Sequence, residues 1–217
     1  MSARALEPEK SLSQMAYDRL LERLITREIP VGSVLFERRL ADSLKISRTP
    51  VREALNRLES EGFVTRKPGS VMIVKEFSAR ELIEALHVRQ ILEVESVGLA
   101  TGRVPAEELA ATAASIRSLL AADAPSAEED WAVDNRFHTM IAGHSGNVLL
   151  AKMIHDLRLK THMFNMERVP ERFEAGHREH LAIIAALERE DRDSARAGIH
   201  EHIENVKKSI IRKLSEI

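Results

Sequence analysis

The chain has 217 residues, with 32 Lys and Arg against 34 Asp and Glu, 44% hydrophobic residues and only 4% aromatics. That length suits two modest domains, and a chain rich in Ala, Leu, Glu and Arg but poor in aromatics favours helix over sheet. The absence of cysteine excludes a disulfide framework and thiol chemistry. The N-terminal MSARALEPEKSLSQ lacks the apolar core of a secretory signal, and no apolar run approaches the ~18 residues of a membrane span, so a soluble, cytoplasmic protein is expected. Charge is uneven: residues 1–74 carry 13 Lys and Arg against 10 Asp and Glu, and the remainder 19 against 24.

Residues 1–10 are polar, contain Pro8, and read as a flexible arm. Ser11 or Ser13 begins a helix to about Glu28, with Ala16, Leu20, Leu24 and Ile25 on its inner stripe. Val34-Leu35 can form a short strand. Glu37 to Leu44 reads as a short helix, a polar turn covers Lys45 to Thr49, and a second helix carries Val51, Leu55 and Leu58. Pro50 suits that helix's first turn, and Ser47 or Thr49 can cap it. After Gly62, Phe63-Val64-Thr65 and Val71-Met72-Ile73-Val74 flank a Lys67-Pro68-Gly69-Ser70 turn, which spells a β-hairpin. Helix, tight turn, basic helix and hairpin over residues 11–74 form a winged helix-turn-helix, an arrangement that lays one helix in the DNA major groove. Arg38, Arg39, Lys45, Arg48, Arg52, Arg57, Arg66 and Lys67 supply the matching basic patch; the alternative is a solvated helix face with local ion pairs.

Residues 75–77 read as a linker, and 78–217 as an all-α bundle of about six helices. Ser78 and Glu81 form a capping box that opens a helix to Gly102, and Ser126 and Glu129 form a second that opens a helix to about Ala142. Between them Pro105 starts an Ala-rich helix that Asp123-Ala124-Pro125 breaks. The remaining helices run from Val148 to about Glu167, from Pro170 to about Glu190 and from Arg192 to Leu214. The expected class is mainly α.

Eight of the nine histidines fall from position 138 onward. Asp134 and His138 are four apart on one helix and share a face, while His180 and His202 each sit beside core-forming residues. From three helices, one carboxylate and three imidazoles can converge on a divalent ion such as Zn²⁺, Ni²⁺ or Mn²⁺. From spacing alone, a lone histidine beside apolar residues is more often a satisfied core or boundary group than a ligand. His87, His144, His155, His162, His177 and His200 lack such a pattern and are assigned to surface or packing.

The segment Leu40-Ala41 … Ser47-Arg48-Thr49-Pro50-Val51-Arg52-Glu53-Ala54-Leu55 … Leu58 … Glu61-Gly62 closely resembles the GntR family of bacterial transcription regulators. Val88-Arg89 … Leu92-Glu93, Asp134 … Phe137-His138, Glu179-His180 … Ile183 … Ala186 and Ala195 … His202 resemble its FadR-type branch, in the ligand-binding form called the FCD domain. Six helices rather than seven suggest the shorter, VanR-like variety. The resemblance implies that Arg38, Arg48 and Arg52 contact phosphates or bases, that Ser47 and Thr49 make small polar contacts, and that Gly69 is the wing tip. Pro68 departs from relatives that carry a polar or basic residue in the wing. The resemblance also implies that Asp134, His138, His180 and His202 hold a metal. Arg89 then either grips an effector carboxylate or pairs with Glu93 one turn along, and Arg158 is a second candidate for the effector. The expected protein is a homodimeric regulator, most often a repressor in this family, that reads a palindromic operator and responds to a small organic acid. A metal-dependent hydrolase tethered to DNA, or a sensor of the metal itself, are the competing readings.

Overall fold

The computed structural model describes residues 11–164 and 170–215, which fall into two compact units, 1–76 and 77–217. The arm expected over residues 1–10 lies outside the described residues, as does the last part of the helix expected to reach Glu167.

The first unit holds α1 (Leu12–Ile25), β1 (Val34–Leu35), α2 (Glu37–Leu44), α3 (Arg48–Ser60), β2 (Val64–Lys67) and β3 (Val71–Val74). Ser11 caps α1 by accepting from the Gln14 N–H at 3.1 Å. Its inner stripe, Ala16, Tyr17, Leu20 and Leu24, packs with α3 around Val51, Leu55, Leu58 and Phe63. Lys45 ends α2 in the left-handed region at φ 57°, which turns the chain out of the helix ahead of α3. Of the two caps the sequence offers, Ser47 is the one used: α3 begins at Arg48, inside the stretch expected as a turn, and Pro50 lies in its first turn. Proline is tolerated throughout a first turn, because the first N–H groups have no intrahelical partner. Ser47 occupies the N-cap, but neither it nor Thr49 makes a side-chain capping bond. The three strands form an antiparallel sheet in the order β1-β3-β2, with Val34 opposite Ile73 and Arg66 opposite Met72. Phe63 lies before the hairpin rather than in it: its N–H donates to Leu58 O and its carbonyl accepts from Lys75 N.

The second unit contains six helices among the described residues: α4 (Ala79–Ala100), α5 (Ala106–Ala121), α6 (Ala127–His144), α7 (Val148–Phe164), α8 (Pro170–Glu188) and α9 (Arg192–Ser215). Both capping boxes form, Ser78 with Glu81 and Ser126 with Glu129. The helix α4 packs against α6, α7 and α9, and α8 packs against α5 and α9. Val97, Ile116, Phe137, Ile183, Ile199 and Ile203 are fully buried where these helices meet. Gly198 permits the close approach of α9 to α8: a Cβ there would stand 2.7 Å from Ile183 Cγ1. That contact lies one turn from both His180 and His202.

Candidate functional site

In the first unit, Arg48 and Arg52 face solvent from successive turns of α3, with 60% and 56% of their side chains exposed. Both donate to Glu37, the first residue of α2: Arg52 through Nε at 3.1 Å and Nη2 at 3.1 Å, Arg48 through Nη2 at 3.3 Å. These bonds draw the Glu37 carboxyl below its ordinary value, the Arg52 hydrogen bond most of all. The ion pairs of this face therefore run between α2 and α3 and not along α3 alone. Arg38, Ser47 and Thr49 are exposed beside them. Gly69 lies at the hairpin turn with φ +80°, and nothing approaches within 4 Å of where its Cβ would be. Such a conformation favours glycine and leaves the backbone open to a close neighbour.

In the second unit, Asp134 and His138 from α6, His180 from α8 and His202 from α9 meet, with one ligand-type atom from each lying within 4.8 Å of the others. His180 Nε2 is 3.2 Å from His202 Nε2, and Asp134 Oδ1 is 3.7 Å from Nε2 of both His138 and His180. Ligand atoms about 2.1 Å from one ion stand roughly 3.0–3.4 Å apart, so a small contraction would bring this set onto a first-row metal. The three imidazoles are buried, while 30% of the Asp134 side chain is exposed.

Carboxylates orient two of the rings from behind. His138 Nδ1 donates to Glu93 Oε2 at 2.5 Å, and His202 Nδ1 donates to Glu179 Oε2 at 2.7 Å. Each bond fixes the tautomer whose Nε2 carries a lone pair toward the cluster. His138 Nε2 is buried with no hydrogen-bond partner, an orphaned acceptor that an ion would satisfy. The third ring, His180, stacks on Phe137 with centroids 4.1 Å apart.

Burial would raise the Glu93 carboxyl, but the Arg89 guanidinium and then His138 and Arg158 reverse this and hold it far below the usual carboxylate range. For Asp134 the same opposition from desolvation is outweighed by Arg158, His138 and His180. Burial, aided by the Arg158 charge, pushes His138 down to about 4, and burial with His202 and His138 nearby lowers His180 well below its ordinary value. Glu179 falls to about 2 despite partial burial, through hydrogen bonds from His202, Arg172 and Asn205. At neutral pH His138 and His180 are therefore neutral and Asp134 anionic, the forms that ligate metals.

Arg89 Nε donates to Glu93 Oε1 at 2.8 Å and its Nη1 to Thr161 Oγ1 at 2.9 Å, so its ion pair with Glu93 is formed. Arg158 Nη2 donates to Asp134 Oδ2 at 2.6 Å, while its buried Nε has no partner. Both arginines are buried beside the tetrad. In the sequence Glu93 is a partner for Arg89 and Glu179 a neighbour of His180, and both lie in the segments that carry the resemblance, but neither is marked as orienting a histidine. Of the histidines assigned to surface or packing, His87, His155 and His200 are exposed, His144 pairs with Glu108 at 2.7 Å, and His162 stacks on Trp131 at 3.7 Å. His177 is buried, with Nε2 2.7 Å from Asp130 Oδ1.

Residues 12–74 match the gntR family of bacterial regulatory proteins, and residues 84–205 match the FCD domain. The chain is a GntR-family regulator with an FCD domain. It is 31% identical over 173 residues to the Nta operon transcriptional regulator of Aminobacter aminovorans, covering 80% of this chain and 82% of that protein. It is 27% identical over 231 residues to the Exu regulon transcriptional regulator of Escherichia coli (strain K12), covering 97% and 88%. The solved structure of E. coli McbR/YncC superposes with a TM-score of 0.82 at 25% identity, over 94% of this chain and 99% of that one. This GntR regulator is thus a DNA-binding transcription regulator, and no described helix of it is long and apolar enough to cross a membrane.

Proposed function

We propose that the FCD domain of this regulator holds a divalent metal on Asp134, His138, His180 and His202, and that the ion and a small organic acid together govern DNA binding. The single observation that carries this reading is the orphaned Nε2 of His138, which lies in a cluster where the outer nitrogens of His138 and His202 are already committed to Glu93 and Glu179. Two imidazoles prepared in this way, a third beside them and an ionised carboxylate suit Zn²⁺, Ni²⁺ or Mn²⁺. The acid would enter beside the ion, where Arg158 and Arg89 place two guanidinium groups. When bound, the ion supplies a Lewis-acidic anchor for the acid's carboxylate; the arginines orient it.

The output is a homodimer that reads a palindromic operator and acts as a repressor. Arg48 and Arg52 lie toward the bases, Arg38 toward phosphate, Ser47 and Thr49 at the start of the reading helix, and Gly69 at the wing tip. Support comes from their common exposure on one small basic surface and from relatives that control an operon and a regulon. The test combines metal analysis with operator binding. The purified protein should carry one divalent ion per chain, lost from His138→Ala and His180→Ala, and an acid effector should change operator affinity only in the metal-loaded form. Full metal content in both variants would overturn the ligand set.

A further inference from the structure

Glu37 is the first residue of α2, yet its carboxylate bonds to two arginines of α3, 11 and 15 residues further along the chain. The two grips are unequal. Arg52 gives two nitrogens of one edge of its guanidinium, Nε to Oε1 at 3.1 Å and Nη2 to Oε2 at 3.1 Å, and a fork of this kind fixes the plane of the group. Arg48 gives only Nη2, at 3.3 Å, and to an oxygen that Arg52 already shares. Glu37 therefore orients Arg52 and only tethers Arg48. The other edge of the Arg52 guanidinium, Nη1 with the second N–H of Nη2, takes no part in this pair. It presents two parallel donors, the pattern that meets O6 and N7 of a guanine.

Stability does not account for the arrangement. Ion pairs between side chains 56% and 60% exposed add little to folding, because water screens them. A carboxylate set between two arginines of a DNA-facing surface also opposes binding to phosphates, which need charge but not orientation. The same group thus favours a contact that depends on aim and disfavours one that does not, the repulsive element on which discrimination between targets often rests.

We propose that Glu37 is a positioning residue for DNA reading: it aims the second edge of Arg52 at one base pair and, through its charge, weakens the hold of this face on random sequence. This rests on the reading above in which Arg52 lies toward the bases.

For the test, the full-length protein first selects an operator from a pool of random duplexes. Binding to that operator, to the operator with each base pair replaced in turn, and to a random duplex is then measured across a salt series. Glu37→Gln preserves shape and should bind the random duplex about three- to tenfold more tightly at low salt, with a salt slope steeper by about 1. At the base pair most affected by Arg52→Ala, Glu37→Gln should lose about tenfold in discrimination, within the worth of one aligned arginine. In an Arg52→Ala background it should change no base preference further. Glu37→Asp keeps the charge but not the reach; it should hold random duplex as the wild type does and still lose discrimination, so one informative variant remains if the other fails to fold. Glu37→Gln that shifts operator and random duplex by one common factor, or neither, would overturn the proposal. So would a loss of base preference that persists without Arg52, since Glu37 would then be reading the base itself. Arg52→Ala that keeps every base preference defeats the underlying placement of Arg52 instead.

Discussion

His138 donates to Glu93 across 2.5 Å from a neighbouring helix, and Glu93 in turn accepts from Arg89, so one buried carboxylate serves a candidate ligand and a candidate effector contact. Glu93→Gln should weaken metal binding by about 10–100-fold, the usual effect of removing an orienting carboxylate. Competition with a coloured chelator measures this. An unchanged affinity would mean that the His138 tautomer is set by something else.

Removing the ion should lower stability, because a ligand of the folded state stabilises by mass action. A thermal melt with and without chelator should show a clear downward shift for the wild type and none for the His138→Ala/His180→Ala double variant. Equal shifts in both would place the ion elsewhere.

The chelated protein should also be sensitive to mild acid. His138 titrates near 4 when folded, for reasons of burial first and the Arg158 charge second, and near its ordinary 6.5 when unfolded. The unfolded chain therefore binds the proton first. Stability is flat above about pH 6.5 and falls as pH drops toward 4, by about 2 kcal/mol between pH 7 and pH 5 from this group alone. Urea unfolding at the two pH values reads the effect, and His138→Gln should reduce it.

On the DNA-reading face, Arg52→Ala should cost about 1–3 kcal/mol of specific binding and relax base preference, as expected for a guanidinium that meets a base edge. Arg38→Ala should weaken specific and random DNA alike and lower the salt slope by about 1. Gel shifts across a salt series separate the two. Matching profiles would mean that both residues touch the backbone.

Gly198→Ala should separate α9 from α8, since the new Cβ would meet Ile183 Cγ1 at 2.7 Å. Overpacking of this kind costs about 1–3 kcal/mol. Because His180 and His202 lie one turn away on either side, metal affinity should fall with stability, and chelator competition would detect it. A variant with native affinity would mean that Ile183 alone yields.

Much of this architecture could be read in the residues. Gly62 and the Lys67-Pro68-Gly69-Ser70 turn announce the hairpin, two capping boxes mark α4 and α6, and the four-residue spacing of Asp134 and His138 places them on one face. These are local signals. Ser47 and Thr49 are equally plausible caps for α3 in the sequence, because proline fits any position of a first turn; the helix starts after Ser47. Glu37 gave no sign of its grip on Arg48 and Arg52, since the link spans a turn between two helices. Glu93 and His138 are 45 residues apart, and His202 and Glu179 are 23 apart, so neither pairing leaves a periodic trace. His177 packs inside the bundle against His180 and pairs with Asp130 from another helix, a partner 47 residues away that its own stretch of sequence does not reveal.

Asp134 directs Oδ1 at the imidazoles and Oδ2 at Arg158. Whatever draws on one oxygen alters the electron density and position of the other. A cation seated on the first and an anion that competes for the guanidinium on the second cannot be taken up independently. Each must change the other's dissociation constant by one common factor, so a titration of either ligand reports on both.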